Sequence, residues 1–126
     1  MSREGDLEGF AKAVEEAFSK IFEHAKKGSY VRVTSHLDSD GLAAAGIVGC
    51  LLHSLDALFC IRIERQLDEE VLNSASEEDA DLYIFTDCGS GYLDLILEYL
   101  GGRDVVVLDH HPVSYTHLTL PTTERV

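Results

Sequence analysis

The chain has 126 residues, of which 45% are hydrophobic and 26% are charged, and its formal net charge is −13. This length allows one domain with a hydrophobic core and is too short for two ordinary domains. The composition is that of a soluble globular protein rather than a disordered one, and no apolar run reaches the roughly 20 residues that a membrane span needs. The acidic balance argues against a broad phosphate-binding face, although bound divalent cations reverse the field locally.

The amino terminus and the cysteines indicate the cellular compartment. Residues 1–6 lack the basic-then-apolar pattern of a signal peptide. The three cysteines, Cys50, Cys60 and Cys88, form no C-x-x-C pair. Reduced thiols in a cytoplasmic protein without membrane association are the simplest interpretation.

The apolar pattern predicts a long helix followed by strands and helices in alternation. Apolar residues at helical spacing predict an amphipathic helix from about residue 6 to 27, which Gly28 ends as a C-cap. Strands are expected at about 30–35, 57–63, 82–86 and 105–108. The other helices are expected at about 41–54, 68–74 and 91–100, with a loop at 76–79. Asp68 and Ser90 are the expected N-caps of the last two helices.

Two of these segments have distinctive compositions. The uninterrupted apolar character of 82–86 predicts a strand that is buried on both faces. The helix at 41–54 is rich in small residues, including Gly46 and Gly49. Because small side chains let a helix approach a sheet closely, packing against the sheet is the predicted role of both glycines.

Strands that alternate with helices predict an α/β fold, an open and mostly parallel doubly wound sheet preceded by the long amphipathic helix. In such sheets ligands bind beyond the carboxyl ends of the strands, where the strand order reverses. Polar clusters follow the first, third and fourth strands, whereas no comparable cluster follows the second. A strand order of 2-1-3-4 would place the three clusters side by side, and this order is the prediction.

The first cluster, residues 35–41, directly follows the first strand and contains His36, Asp38 and Asp40. In an extended segment residues i, i+2 and i+4 point the same way, so these three side chains are expected to converge. Neighbouring carboxylates repel each other, and this stretch contains no Lys or Arg. A metal ion is therefore the leading candidate for compensating their charge.

The other two clusters add ligands of the same kinds. Asp87 follows the third strand, and the fourth strand is followed by Asp109, His110 and His111. Carboxylate oxygens and imidazole nitrogens bind hard or borderline divalent ions, so Zn, Mn and Mg are all candidates, and the excess of carboxylates favours Mn or Mg. Asp87, on the middle strand, is placed to bridge two ions, and such a pair is a familiar arrangement for phosphoester hydrolysis.

Each of these residues also has a structural alternative. His36 alone could be a hydrogen-bonding residue, and Asp40 could cap the helix that follows it. Asp87 could be the phosphoacceptor of a receiver-like sheet, and His110 with His111 could be a surface pair. Three clusters at one sheet edge favour the metal site over these separate explanations.

The three clusters resemble the motifs of the DHH phosphoesterase superfamily. The matching elements are Ser-His-x-Asp-x-Asp-Gly at 35–41, Thr-Asp-x-Gly at 86–89 and Asp-His-His at 109–111. A wider match, which includes residues 66–69 and 83–87, resembles an archaeal RecJ-like single-strand exonuclease. The resemblance covers about residues 10–112 and implies a metal-dependent 5′ exonuclease that acts on single-stranded DNA or RNA.

The resemblance also implies a metal ligand set. His36 and Asp38 would hold one ion, most often Mn²⁺, with Mg²⁺ as the alternative. Asp40 and His110 would hold a second ion. Asp87 would bridge the two.

Further roles follow from the same resemblance. His111 would contact substrate phosphate, and Asp109 would orient the histidines. Gly41 and Gly89 would allow close backbone approach. The catalytic group would thus contain Asp87 together with both histidines of the third motif, and a replication or repair protein would be a partner.

The resemblance divides the chain at residue 112. Residues 1–112 are expected to be the amino-terminal part of a DHH phosphoesterase domain. Residues 113–126 have no clear period and resemble translated adapter sequence, so a non-native tail is expected there, with no role for His117. The family's fourth motif and substrate domain have no counterpart here. Weak metal binding and little or no nuclease activity are therefore expected from this chain alone.

Two other functions remain open. One is a phosphoesterase for short oligonucleotides, cyclic dinucleotides or pyrophosphate. Pyrophosphatases of this superfamily space the first motif as His-x-x-x-Asp-x-Asp, whereas this chain has His-x-Asp-x-Asp, which disfavours pyrophosphate. The other is a non-catalytic replication scaffold, which the intact motifs disfavour.

Overall fold

The structure, a computed structural model, describes residues 3–88, 90–108 and 123–125. Its helices are α1 (Arg3–Lys26), α2 (Ser39–Ser54), α3 (Glu69–Glu77) and α4 (Leu93–Leu100), with a 3₁₀ turn at Ser90–Tyr92. Its strands are β1 (Tyr30–His36), β2 (Leu58–Glu64), β3 (Leu82–Thr86), β4 (Asp104–Leu108) and β5 (Thr123–Arg125). Among these helices, none is both long enough and apolar enough to cross a membrane.

The strands form one parallel sheet in the order β2-β1-β3-β4-β5. The predicted order of 2-1-3-4 is confirmed, as is the α/β class. The short strand β5 pairs with β4 at the edge of the sheet, where the sequence predicted no strand. The division of the chain at residue 112 and the non-native origin of 113–126 stay predictions, because most of the tail lies outside the described residues.

Both faces of the sheet are covered by helices. Leu82 and Ile84 of β3 pack in a core with α1 and α2, whereas the alternate residues Tyr83 and Phe85 pack in a second core with α3 and α4. All five residues of β3 are buried, which confirms the prediction for this strand. The helices and the sheet thus form three layers. The carboxyl edge of the sheet, where the polar clusters were predicted, lies at one end of these layers.

Two predicted helix ends are confirmed. Gly28 has a φ of +70°, in the left-handed region that glycine adopts without strain, and its N–H donates to the carbonyl of Ala25 at 3.2 Å. At the start of α3, the side chain of Asp68 accepts a hydrogen bond from the N–H of Val71 at 2.9 Å. Local capping chemistry therefore sets these boundaries.

Two other helix ends were predicted wrongly. Ser90 does not cap α4, because residues 90–92 form a tighter 3₁₀ turn and Tyr92 takes the N-cap position without a side-chain hydrogen bond. Helix α3 continues to Glu77 through residues predicted as a loop. Arg103 donates to the carbonyl of Ser76 at 2.8 Å and so satisfies a carbonyl at the end of this helix.

The two glycines of α2 do not share one role. A Cβ on Gly49 would lie 3.0 Å from Ile61 Cδ1 of β2, so this glycine packs against the sheet as predicted. Gly46 is exposed, and a Cβ there would meet no atom within 4 Å. The prediction was wrong for Gly46 because it follows the buried Ala45 by about 100° around the helix and faces away from the sheet.

Candidate metal centre

Three predicted site residues meet at the carboxyl edge of the sheet. His36 ends β1, Asp38 precedes α2 and Asp87 directly follows β3. One ligand atom from each lies within 4.8 Å of the others. The register explains this meeting, because Ser35 of β1 lies beside Thr86 of β3 and the next residues leave the sheet together.

Asp38 is held through both of its carboxylate oxygens. Its backbone is extended at the N-cap of α2, and Oδ1 accepts a hydrogen bond from the N–H of Gly41 at 2.7 Å. Oδ2 accepts one from Nδ1 of His36 at 2.6 Å. The carboxylate is thus fixed by the start of the helix on one side and by the imidazole on the other.

The expected convergence of Asp40 with these residues is not found. The extended path ends at Asp38, because α2 begins at Ser39, so Asp40 lies in the first helical turn. Asp40 is exposed and does not belong to the group of three converging side chains. The alternative that Asp40 caps the helix is also wrong, since Asp38 occupies the N-cap.

His36 uses both ring nitrogens. Nδ1 donates to Asp38, and Nε2 donates to the carbonyl of Arg65 at 2.8 Å. A carboxylate and a carbonyl only accept hydrogen bonds, so this geometry requires a hydrogen on each nitrogen and favours the imidazolium. The hydrogen bond to Asp38 accordingly raises the pKa of His36. The pKa of Asp38 is lowered, first by the N–H of Gly41 and then by His36.

Asp87 has an unusual backbone. Its φ is +57°, in the left-handed region, and the residue is only 6% exposed. The N–H of Asp87 donates to the carbonyl of Leu108 at 2.9 Å, which holds the turn beside β4. Aspartate enters the left-handed region more readily than most residues, and such conformations concentrate at functional sites.

Gly41 brings α2 into direct contact with the end of β1. A Cβ at this position would lie 1.9 Å from the carbonyl oxygen of His36 and 2.7 Å from its carbonyl carbon. No side chain fits there unless the backbone moves. The first turn of α2, and with it the N–H that holds Asp38, therefore depends on glycine at position 41.

The remaining predicted site residues cannot be placed. They lie outside the described part of the chain and are Gly89, Asp109, His110 and His111. Their predicted roles stay predictions.

Sequence reasoning missed two features of this centre. The capping role of Asp38 had a signal, because an N-cap aspartate accepts from the N–H three residues later and Gly41 occupies that position. The contact of His36 with the carbonyl of Arg65 had none, since any residue type supplies a backbone carbonyl.

The three converging side chains fit a divalent cation. They offer one imidazole nitrogen and two carboxylate oxygens. The three ligand atoms lie within 4.8 Å of one another, so modest side-chain movements would bring each of them to the distance of about 2.2 Å at which a divalent cation is held. The donor types are those of Mn, Mg or Zn sites.

Solved structures show which fold this is. RecJ from Thermus thermophilus, in complex with Mn²⁺, matches with a TM-score of 0.71 and 28% sequence identity over 90% of this chain and 17% of the RecJ chain. The fold of this chain is therefore similar to part of RecJ, an exonuclease of the DHH superfamily. An exonuclease RecJ bound to manganese matches with a TM-score of 0.71 and 27% identity, over 87% of this chain and 30% of that one. This RecJ-like domain is also similar to CDC45 from Entamoeba histolytica, with a TM-score of 0.69 and coverage of 90% and 24%, but at 16% identity that likeness concerns the fold alone.

One relative matches the amino-acid sequence with an identity similar to that of the two RecJ structures. The uncharacterized protein MJ0831 of Methanocaldococcus jannaschii is 33% identical to the RecJ-like domain over 115 residues, which is 89% of this chain and 25% of the relative. The chain thus spans a quarter of that relative and less than a third of either RecJ chain. No family model matches the sequence.

Proposed function

We propose that this chain supplies metal-binding residues to a phosphoesterase that digests single-stranded DNA or RNA from the 5′ end with Mn²⁺ as cofactor. The observation that carries the proposal is the convergence of His36, Asp38 and Asp87 within 4.8 Å at the carboxyl edge of a RecJ-like sheet. The two similar RecJ structures, at 28% and 27% identity, both contain manganese, which supports this metal over Mg²⁺.

The proposed ligand set extends the group of three. His36 and Asp38 would hold the first ion, Asp40 with His110 would hold the second, and Asp87 would be shared between the two. When bound, divalent cations would make a water molecule more acidic and would offset the negative charge that develops on phosphorus.

The protein groups hold the reactants in place. His111 contacts substrate phosphate, and Asp109 orients the histidines. The hydrogen bond from the N–H of Gly41 holds one oxygen of the Asp38 carboxylate in place, which reduces the reorganisation needed when a cation binds.

The charge of the chain supports a cation-mediated contact with the substrate. At a formal net charge of −13 the chain as a whole repels phosphate. Cations bound at the sheet edge would reverse the sign of the field where the substrate must bind. Binding of a single strand is therefore expected to require the metal.

The metal site is tested by calorimetric titration of the purified chain with MnCl₂. Asp87→Asn keeps the size and the left-handed backbone but removes a ligand charge, so a loss of affinity of about a hundredfold or more is expected. Asp79→Asn, at an exposed position in the loop after α3, is the matched control and should bind like the unsubstituted chain. Equal Mn²⁺ affinity in Asp87→Asn and Asp79→Asn would contradict the assignment.

The substrate class is tested on a longer protein, the full-length MJ0831 relative. Purified protein with Mn²⁺ is offered labelled single-stranded DNA and RNA, a cyclic dinucleotide and pyrophosphate. Mononucleotide release from the 5′ end of a single strand is expected. Turnover of only the small substrates would support a small-substrate phosphoesterase instead, and Mn²⁺ binding without any hydrolysis would support a scaffold role in replication.

A further inference from the structure

The hydroxyl of Ser35 lies between the two backbone segments that carry the converging carboxylates. Ser35 is in β1 and is completely buried, with 0% of its surface exposed. Its Oγ lies 2.7 Å from the carbonyl oxygen of Gly41 and 2.9 Å from that of Thr86. A serine hydroxyl carries one hydrogen, so the two carbonyls share this donor.

The residue that provides each carbonyl is directly connected to one of the two converging carboxylates, Asp38 or Asp87. Gly41 donates its N–H to Asp38 Oδ1 at 2.7 Å, and Thr86 immediately precedes Asp87. One side chain therefore connects the first turn of α2 to the end of β3. These are the two segments whose separation determines how far apart the carboxylates of Asp38 and Asp87 lie.

The sheet alone does not make this connection. The ladder between β1 and β3 fixes Ser35 beside Thr86 but does not include α2. The contact of Gly41 with His36 fixes α2 against β1 but does not reach β3. Side chains of α2 and β3 share a core, and at the carboxyl edge the hydroxyl of Ser35 also joins their backbones. A methyl group in place of the hydroxyl would occupy the same space without donating to either carbonyl.

We propose that Ser35 is a positioning residue, which sets the separation of the Asp38 and Asp87 carboxylates and thereby the affinity of the site for Mn²⁺. The proposal rests on the proposed function, because it concerns the same metal site. Ser35 acts through the backbone of Gly41 and Thr86 and is not itself a ligand.

The test compares Mn²⁺ affinity with fold stability. Ser35→Ala removes the hydroxyl and is expected to weaken Mn²⁺ binding about tenfold, the lower end of what outer partners of metal ligands contribute. Val105→Ala, a buried residue at the opposite end of β4, is the control that lowers stability far from the site. Calorimetric titration is performed at a temperature at which circular dichroism shows every variant folded.

An isosteric pair separates the hydroxyl from side-chain volume. Ser35→Thr and Ser35→Val have the same shape, but only the threonine donates a hydrogen bond, so threonine should retain Mn²⁺ affinity and valine should lose it. If Ser35→Ala does not fold, the comparison of Ser35→Thr with Ser35→Val tests the role of the hydroxyl. Equal affinities in Ser35→Thr and Ser35→Val, or wild-type affinity in Ser35→Ala, would overturn the role of Ser35. Failure of the unsubstituted chain to bind Mn²⁺ would instead overturn the proposed function, and the role of Ser35 with it.

Discussion

Alanine substitutions at the three glycines of α2 would measure how closely this helix approaches the sheet along its length. The three positions differ in what a new Cβ would meet. At Gly46 it meets nothing within 4 Å, at Gly49 it lies 3.0 Å from the Cδ1 atom of Ile61, and at Gly41 it lies 1.9 Å from the backbone oxygen of His36. The same chemical change is thus placed in open space, in a tight contact and in a clash.

The expected free energies of unfolding follow from these distances. Gly46→Ala should stabilise the chain by about 0.5–1 kcal/mol, because alanine loses less backbone entropy than glycine in a helix. In Gly49→Ala the same gain is offset by displacement of Ile61, whose side chain is 36% exposed and can move, so the net change is expected near zero. Gly41→Ala should destabilise by about 2–3 kcal/mol, because backbone must move by more than an ångström to restore ordinary contact.

Urea denaturation followed by circular dichroism resolves this series. With an m-value of about 2 kcal/mol per molar, the midpoints of Gly46→Ala and Gly41→Ala should differ by about 1.5 M. Gly41→Ala should also weaken Mn²⁺ binding, because the N–H that holds Asp38 moves with the helix, whereas Gly46→Ala should not. Equal midpoints for Gly41→Ala and Gly46→Ala would refute the close approach of α2 to β1.

Three further predictions concern ionisable groups. Lowering the pH from about 8 to 6 should weaken Mn²⁺ binding, because the pKa of His36 is raised above 6.5 and the imidazolium must lose a proton before it can bind the ion. Calorimetry in buffers of different ionisation enthalpy measures the proton released on binding. Binding without proton release would contradict the assignment of an imidazolium at His36. Glu78→Gln should lower the free energy of unfolding by about 2–3 kcal/mol in urea denaturation, because the carboxylate that it removes lies 2.9 Å from Nε of the buried Arg32. The double variant with Arg32→Met should recover much of that loss. A double variant that is no more stable than Glu78→Gln would refute this. Without metal, Asp87→Asn should unfold at the same temperature as wild type or at a higher one. With MnCl₂ it should lack the stabilisation of about 2.7 kcal/mol that a ligand at a hundred times its Kd confers. Thermal melts with and without MnCl₂ measure both.

The sheet and its order were predictable because they depend on burial. The apolar run at 82–86 predicted a strand covered on both sides, and the structure buries all five of its residues. The strand order followed from the positions of the polar clusters, since residues that share a site must lie on neighbouring strands. The cap of α3 was predictable from Asp68, because capping depends on residues within one turn.

The details of the candidate metal centre were not predictable in the same way, because they depend on backbone atoms of segments that are distant in sequence. The left-handed conformation of Asp87 is held by the carbonyl of Leu108, 21 positions further along the chain. The carbonyl that accepts from His36 belongs to Arg65, and the carbonyls that accept from Ser35 could belong to any residue type. Residue identity encodes burial and capping but leaves these contacts without a pattern.

The ionic pair of His36 and Asp38 connects the stability of the metal-free chain to the pH at which the site binds metal. The raised pKa of His36 means that the pair contributes stability fully below 6.5 and loses it as the pH rises through the folded-state value. The lowered pKa of Asp38 means that its contribution is present above 3.8 and is lost as the pH falls through the folded-state value. The pair therefore stabilises the metal-free chain in the acidic window between these limits. At higher pH the imidazole loses its proton and would be free to bind the proposed cation, so the cation would replace the proton at the pH at which the pair ceases to stabilise the fold.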